Sequence, residues 1–296
     1  MKIAHLILAH TAPGQLHRMI MRLQHSSAYF FIHIDKKSDI RPFEHLEEIP
    51  NVRLVAKRVT VNWGGYSQVQ ATLNSCEEIL GTGIAFDYIN LMSGMDYPIK
   101  STSYIHDFLA DNPGKIFMRC EPVMEVWKEA IPRITQYHLP DLNIPGRYKL
   151  EKILNTVLPA RKLRPGIIAA GRAQWFTASR DSIAYVVDYM KNNPWIARHF
   201  RLSWGADELM FHTILYNSPF RAAIQADNLM YTDWAEHKAS PKTLSMEDLP
   251  ALRHTDKLFA RKFNEQFDHF ILDVLDKSHT PAVHVTPLYN KQKVAV

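Results

Sequence analysis

The apolar residues of this chain fall into short unbroken runs separated by stretches with helical spacing. Residues 3–9 are apolar apart from His5 and predict a buried strand, closed by a turn at 10–14 that contains Pro13 and Gly14. Leu16, Met19, Ile20 and Leu23 then recur on one face of a helix. Residues 29–34 and 51–56 predict two more strands, 68–80 a helix, and 88–92 a fourth buried strand. Strand and helix therefore alternate, which predicts an α/β chain with a central, mostly parallel sheet flanked by helices. The strands end on polar groups, at His10, Asp35, Arg58 and Ser93. Open sheets of this class bind ligands along the carboxyl edge of their strands.

Further on, residues 101–109 predict a helix with Ser101-Thr102-Ser103 available for its N-cap, and 115–121 a strand that delivers Glu121 to an edge. The pattern weakens over 122–165, where Pro132, Pro140, Pro145, Pro159 and Pro165 divide a polar stretch that is basic from 149 to 164. Such a stretch is expected to be a mobile surface insertion. A strand over 173–179 and an amphipathic helix over 180–192 restore the alternation. Asp207 and Glu208 open an apolar helix at 209–215, and 228–234 is the last predicted strand. Ser245 and Asp248 have the spacing of a helix start, and 264–275 predicts the final helix. We expect a single domain over 1–276 and a polar tail over 277–296.

Composition narrows the class. Of 296 residues, 46% are hydrophobic, enough for a large core. The formal charge of +5 suits an anionic ligand but is too weak and scattered to predict a nucleic-acid partner. The two cysteines, Cys76 and Cys120, sit in no metal-type pair and are expected to be small buried side chains. No stretch reaches the roughly 20 apolar residues that cross a bilayer, and the N-terminal run is too short for a signal sequence. The expected location is the cytoplasm, with at most peripheral contact at the inner face of the membrane.

Three places carry candidate chemistry. After the strand at 88–92 comes Ser93-Gly94-Met95-Asp96-Tyr97-Pro98, where Asp96 serves either a turn or a ligand. Asp207 and Glu208 either favour a helix dipole or supply a general base, and neighbours on a helix point about 100° apart, so one of them faces a substrate. Arg261 and Lys262 lie between Phe259 and Phe263, as solvated surface or as a positioned pair that contacts an anion. No glycine-rich phosphate loop or dinucleotide fingerprint is present.

The blocks His33-Ile34-Asp35-Lys36-Lys37-Ser38, Trp63-Gly64-Gly65, Asn90-Leu91-Met92-Ser93-Gly94-Met95-Asp96-Tyr97-Pro98-Ile99, Gln174-Trp175-Phe176, Ala206-Asp207-Glu208 and Phe259-Ala260-Arg261-Lys262-Phe263 occur in a fixed order. Together they resemble the core-2/I-branching β-1,6-N-acetylglucosaminyltransferase and peptide O-xylosyltransferase family over nearly the whole chain. The segment 211–218 and the Ala-Arg-Lys-Phe block lean toward the xylosyltransferase branch. The resemblance implies a GT-A-type nucleotide-diphosphosugar transferase fold and inverting transfer from a UDP-sugar donor to a glycan or protein acceptor. It also implies no cofactor and no divalent metal, and the sequence contains no Asp-x-Asp triplet that would hold one.

By the same resemblance Glu208 is the base and Lys262, with Arg261 beside it, neutralises the leaving UDP. A second cation falls on Lys242 or Lys238. Asp35 lies on the uridine side, His10 and Arg58 at neighbouring strand ends, and Ser93 and Asp96 near the sugar and pyrophosphate. Glu121, Trp175, Asp207 and Trp234 are candidates for the acceptor or the donor sugar, with a core role the alternative for either tryptophan. Animal members carry an anchor, a stem and disulfides, so this chain is expected to be a bacterial-type stand-alone catalytic domain. Its expected acceptor is a cell-surface polysaccharide or a lipid-linked glycan. The alternative is a non-catalytic UDP-sugar- or glycan-binding protein on the same fold.

Overall fold

The computed structural model describes residues 1–277. Its strands are β1 (Ile3–Ala9), β2 (Ala28–Ile34), β3 (Val52–Leu54), β4 (Tyr88–Ser93), β5 (Asp96–Pro98), β6 (Ile116–Phe117), β7 (Cys120–Pro122), β8 (Ala170–Arg172), β9 (Phe176–Ser179), β10 (Ile224–Gln225), β11 (Met230–Thr232) and β12 (Phe259–Arg261). Seven of them form one sheet in the order β10-β6-β9-β4-β1-β2-β3. β4, β1, β2 and β3 run parallel, while β9 is antiparallel to both β4 and β6. The predicted mostly parallel sheet is therefore present.

Period-two alternation divides the core. Ile3, Ile7 and Ala9 of β1 face one cluster, with Phe30, Ile32 and Ile34 of β2 and the helix Pro13–Leu23. Ala4, Leu6, Tyr29 and Phe31 face the other, with Val69, Leu73 and Cys76 of the helix Tyr66–Gly81. A buried polar row crosses the sheet, where Asn90 bonds His5 Nδ1 at 3.0 Å and accepts from the Thr177 hydroxyl at 2.9 Å. Burial pushes the His5 imidazole down to about 3, so it stays neutral.

Two small sheets flank the carboxyl edge. β11, β12 and β5 form one, with Asp96 directly opposite Arg261, and β7 and β8 form the other, with Glu121 opposite Gly171. The single strand expected over 115–121 is thus two short strands in different sheets: Met118 still donates its N–H to the Gln225 carbonyl of β10 at 3.3 Å, and from Cys120 the chain pairs with β8 instead. The strand expected from 173 begins at Phe176, and the helix expected over 264–275 runs Phe270–Lys277 among the described residues. Asp207 and Glu208 lie in a 3-10 turn, Ala206–Glu208, with the helix proper at Met210–Tyr216.

The stretch 122–165 contains helices at Ile131–Thr135 and Arg147–Val157 despite its prolines. Asp141 from this stretch caps the helix Tyr66–Gly81, accepting from the Ser67 N–H at 2.9 Å and from its hydroxyl at 2.5 Å. Of the expected tail, residues 278–296 lie outside the described residues.

Candidate active site

Parallel register brings the strand ends together. Ala9 is level with Ile34, and Leu8 with Ser93, so His10, Asp35 and the turn after β4 lie along one edge. The turn is built by Asp96. Its Oδ2 accepts from the Ser93 N–H at 2.8 Å, and the Ser93 hydroxyl accepts from Met95 N–H at 3.1 Å. Asp96 is therefore a turn residue, but only through one oxygen.

Its other oxygen faces Arg261 Nε at 3.5 Å. Both groups are buried, and Asp96 Oδ1, Arg261 Nε and Arg261 Nη1 have no hydrogen-bond partner. The guanidinium lies over the Trp175 ring, 4.5 Å from its centroid. Burial lowers the Arg261 pKa, while Asp96 and then Glu208 push it back up. Glu208 is thus within electrostatic reach of this cation. Lys262 is lowered by burial and by Arg261, with Asp96 acting in the opposite sense. A buried guanidinium with two nitrogens that make no hydrogen bond, and only the long contact to Asp96, is costly unless a further anion completes it.

Glu208 sits where three segments meet. Its Oε2 accepts from Arg133 Nη1 at 2.5 Å. The Arg133 guanidinium is held between two rings, 4.8 Å from the Trp127 centroid and 4.4 Å from that of Trp204. Trp204 meets Trp63 edge to face at 5.4 Å, and Gly205 donates its N–H to the Gly64 carbonyl at 2.7 Å. The Trp63-Gly64-Gly65 block therefore positions the turn that carries Glu208. Gly205 has φ of 69°, and a Cβ there would approach Arg133 Nη1 to 2.8 Å. Beside Glu208, Asp207 is raised to about 7, first by burial and then by the Glu208 charge. Glu121 lies 3.8 Å from Arg119 and 3.7 Å from Arg172, whose guanidinium reaches the Trp127 ring at 5.5 Å.

The remaining candidates have plainer surroundings. Asp35 Oδ1 accepts from the N–H groups of Lys37 at 2.9 Å and Val61 at 3.3 Å, which shapes the loop after β2. Arg58 donates to the carbonyls of Ile34, Asp35 and Ser38 at 2.9, 2.8 and 2.6 Å, so it braces that loop. His10 is exposed. Lys242 is paired with Asp248 at 2.8 Å, and Asp248 also accepts from the Ser245 N–H at 2.9 Å. The backbone around Lys242 nevertheless lies against Lys262, whose N–H points to the Lys242 carbonyl at 3.4 Å. Lys238 pairs with Glu236 at 3.0 Å, and Trp234 is half exposed in the loop after β11.

Sequence reasoning missed Arg133, Trp127 and Arg172. All three belong to stretches without periodicity, and no local signal marks an arginine that will be clamped by aromatics from elsewhere. Among the described residues, no group of three or more His, Cys, Asp or Glu side chains could hold a metal.

The model of the Core-2/I-Branching enzyme family matches residues 3–253. Xylosyltransferase 2 of Canis lupus familiaris is 27% identical over 302 residues, covering 93% of this chain and 33% of that protein. Xylosyltransferase oxt of Drosophila melanogaster is 27% identical over 286 residues, covering 89% of this chain and 32% of that protein. The chain thus spans about a third of the length of these relatives. Among solved structures, mouse xyloside xylosyltransferase 1 in its apo form aligns with a TM-score of 0.42 at 10% identity, over 88% of this chain and 97% of that one.

Proposed function

Because this chain belongs to the Core-2/I-Branching enzyme family, we propose that it is a glycosyltransferase of GT-A type. It moves xylose or N-acetylglucosamine, with inversion, from a UDP donor to a hydroxyl of a glycan or protein. The observation that carries this reading is Arg261, a buried cation at the carboxyl edge with two nitrogens that make no hydrogen bond, beside Lys262 and within electrostatic reach of Glu208. Its chemistry suits a pyrophosphate, and planar guanidinium groups pair well with phosphate oxygens.

In the reaction the acceptor oxygen bonds to the anomeric carbon from the face opposite UDP. The bond from that carbon to the β-phosphate oxygen breaks, and its electron pair leaves with UDP. Arg261 and Lys262 balance the charge that develops there. The acceptor proton passes to Glu208. Arg133 occupies Oε2, which leaves Oε1 to take the proton and fixes its direction. Two fixed cations supply the neutralisation that a divalent metal gives in related chemistry, so transfer proceeds in EDTA.

Glu208→Gln tests the assignment. It should bind UDP in EDTA within about threefold of wild type and lose transfer by roughly a thousandfold, the range for removing a general base. Strict dependence of transfer on Mn²⁺ would overturn the metal-independent mechanism. Wild-type protein that binds UDP-sugars but neither transfers nor hydrolyses them would favour the non-catalytic binder.

A further inference from the structure

The helix Arg147–Val157 is attached to the protein by its polar side. Glu151 accepts from the Leu139 N–H at 2.8 Å, Asn155 exchanges hydrogen bonds with the backbone of Tyr137 at 2.7 and 2.9 Å, and Arg147 lies 3.7 Å from Glu151. These residues recur at i, i+4 and i+8 and form the inward stripe. Leu150, Ile153 and Val157, at i, i+3 and i+7, form a separate stripe that faces solvent. Ile153 is 59% exposed and Val157 74%, and the helix buries no residue. This is the reverse of an ordinary surface helix, whose apolar stripe faces the core.

Charge accompanies the apolar stripe. Residues 142–168 hold six cations and one acid, Glu151, a net +5 that equals the formal charge of the whole chain. Of those cations Lys149, Lys152, Lys162 and Arg164 are exposed, and the single acid is held inward. The exposed surface here is therefore apolar and purely cationic.

We propose that this helix docks on an anionic lipid bilayer, lying in the interface with Leu150, Ile153 and Val157 among the headgroups and the lysines at the phosphates. Short helices with an apolar stripe and flanking cations bind such surfaces through combined apolar burial and electrostatic attraction. A second copy of the chain fits the surface poorly. An 11-residue helix about 16 Å long and roughly 10 Å across presents on the order of 160 Å² of face, far short of the roughly 800 Å² per partner that a stable dimer buries, and pairing would bring like charges together. The inference does not depend on the glycosyltransferase reading.

Co-sedimentation of the full chain with vesicles tests it, using phosphatidylcholine vesicles with and without about one third phosphatidylglycerol. Binding is expected to the anionic vesicles and not to pure phosphatidylcholine, and to weaken in molar salt, where screening shortens to about 3 Å. Lys149→Gln and Lys152→Gln should each weaken binding about fivefold, which corresponds to roughly 1 kcal/mol per cation. Ile153→Gln should weaken it about tenfold, from the loss of a buried aliphatic side chain. All three positions are exposed, so thermal unfolding should be unchanged in each variant. Failure of wild type to bind the anionic vesicles, or equal binding by all variants, would overturn the proposal. So would concentration-dependent self-association that Ile153→Gln abolishes.

Discussion

At the scale of single residues, the site is an arrangement of charges whose partners are chosen by burial. Asp207 and Glu208 are neighbours and both are half-buried, yet only Glu208 has the Arg133 guanidinium as a hydrogen-bonded partner. The Asp207 carboxyl has a buried oxygen without a partner, and burial raises its pKa from 3.8 to about 7. The folded protein therefore holds this proton more tightly than the unfolded chain. The associated stabilisation is full below about pH 4 and is lost as the pH rises through about 7. Asp207→Asn should consequently gain on wild type in melting temperature between about pH 5 and pH 8, as measured by calorimetry. Parallel curves for the two proteins would mean that Asp207 does not titrate in that range.

At the scale of elements, the antiparallel pair β7–β8 fixes the turn that bears Glu208. Gly171 lies so close to it that a Cβ would come within 2.9 Å of the Leu209 side chain and would overlap the Glu208 carbonyl oxygen. Backbone cannot yield as a flexible side chain does, so Gly171→Ala must shift either β8 or the 3-10 turn. We expect a loss of about 2 kcal/mol in urea unfolding, typical of overpacking, together with a larger fall in transfer than in UDP affinity. Unchanged activity would show that the β7–β8 pair does not set the position of Glu208. The same local logic explains Asp141, which caps a helix far away in sequence and ties the 122–165 stretch to the block at Trp63-Gly64-Gly65.

At the scale of the molecule, one fully buried amide joins the two sheets that frame the site. Gln15 donates to the carbonyls of Gly94 and Phe263, both at 3.1 Å, and accepts from the Glu265 N–H at 2.9 Å. It thereby connects the helix after β1, the turn after β4 and the chain that leaves Arg261 and Lys262. Gln15→Ala strands three backbone groups, each worth roughly 1–3 kcal/mol when buried and unpaired. The expected loss in urea unfolding is about 3 kcal/mol, and on the proposed function UDP binding should weaken, because the cationic pair is no longer held against the strand ends. Wild-type UDP affinity in this variant would show that the smaller sheet holds its place without Gln15.

The sequence by itself determined the alternation of strands and helices, the residues at the strand ends, and the ordered blocks that carry the family resemblance. These are local properties: a run of apolar side chains or a turn residue has the same meaning wherever the chain folds. The pairing of Asp96 with Arg261, the stacking of Arg261 on Trp175, and the clamp of Arg133 between Trp127 and Trp204 were decided only by the tertiary structure. So were the splitting of residues 115–121 between two sheets and the outward apolar stripe of the helix Arg147–Val157. The physical reason is that a charge acquires its meaning from the neighbours that desolvate or pair it. Those neighbours come from segments far apart in the chain, and no local pattern records which of them will meet.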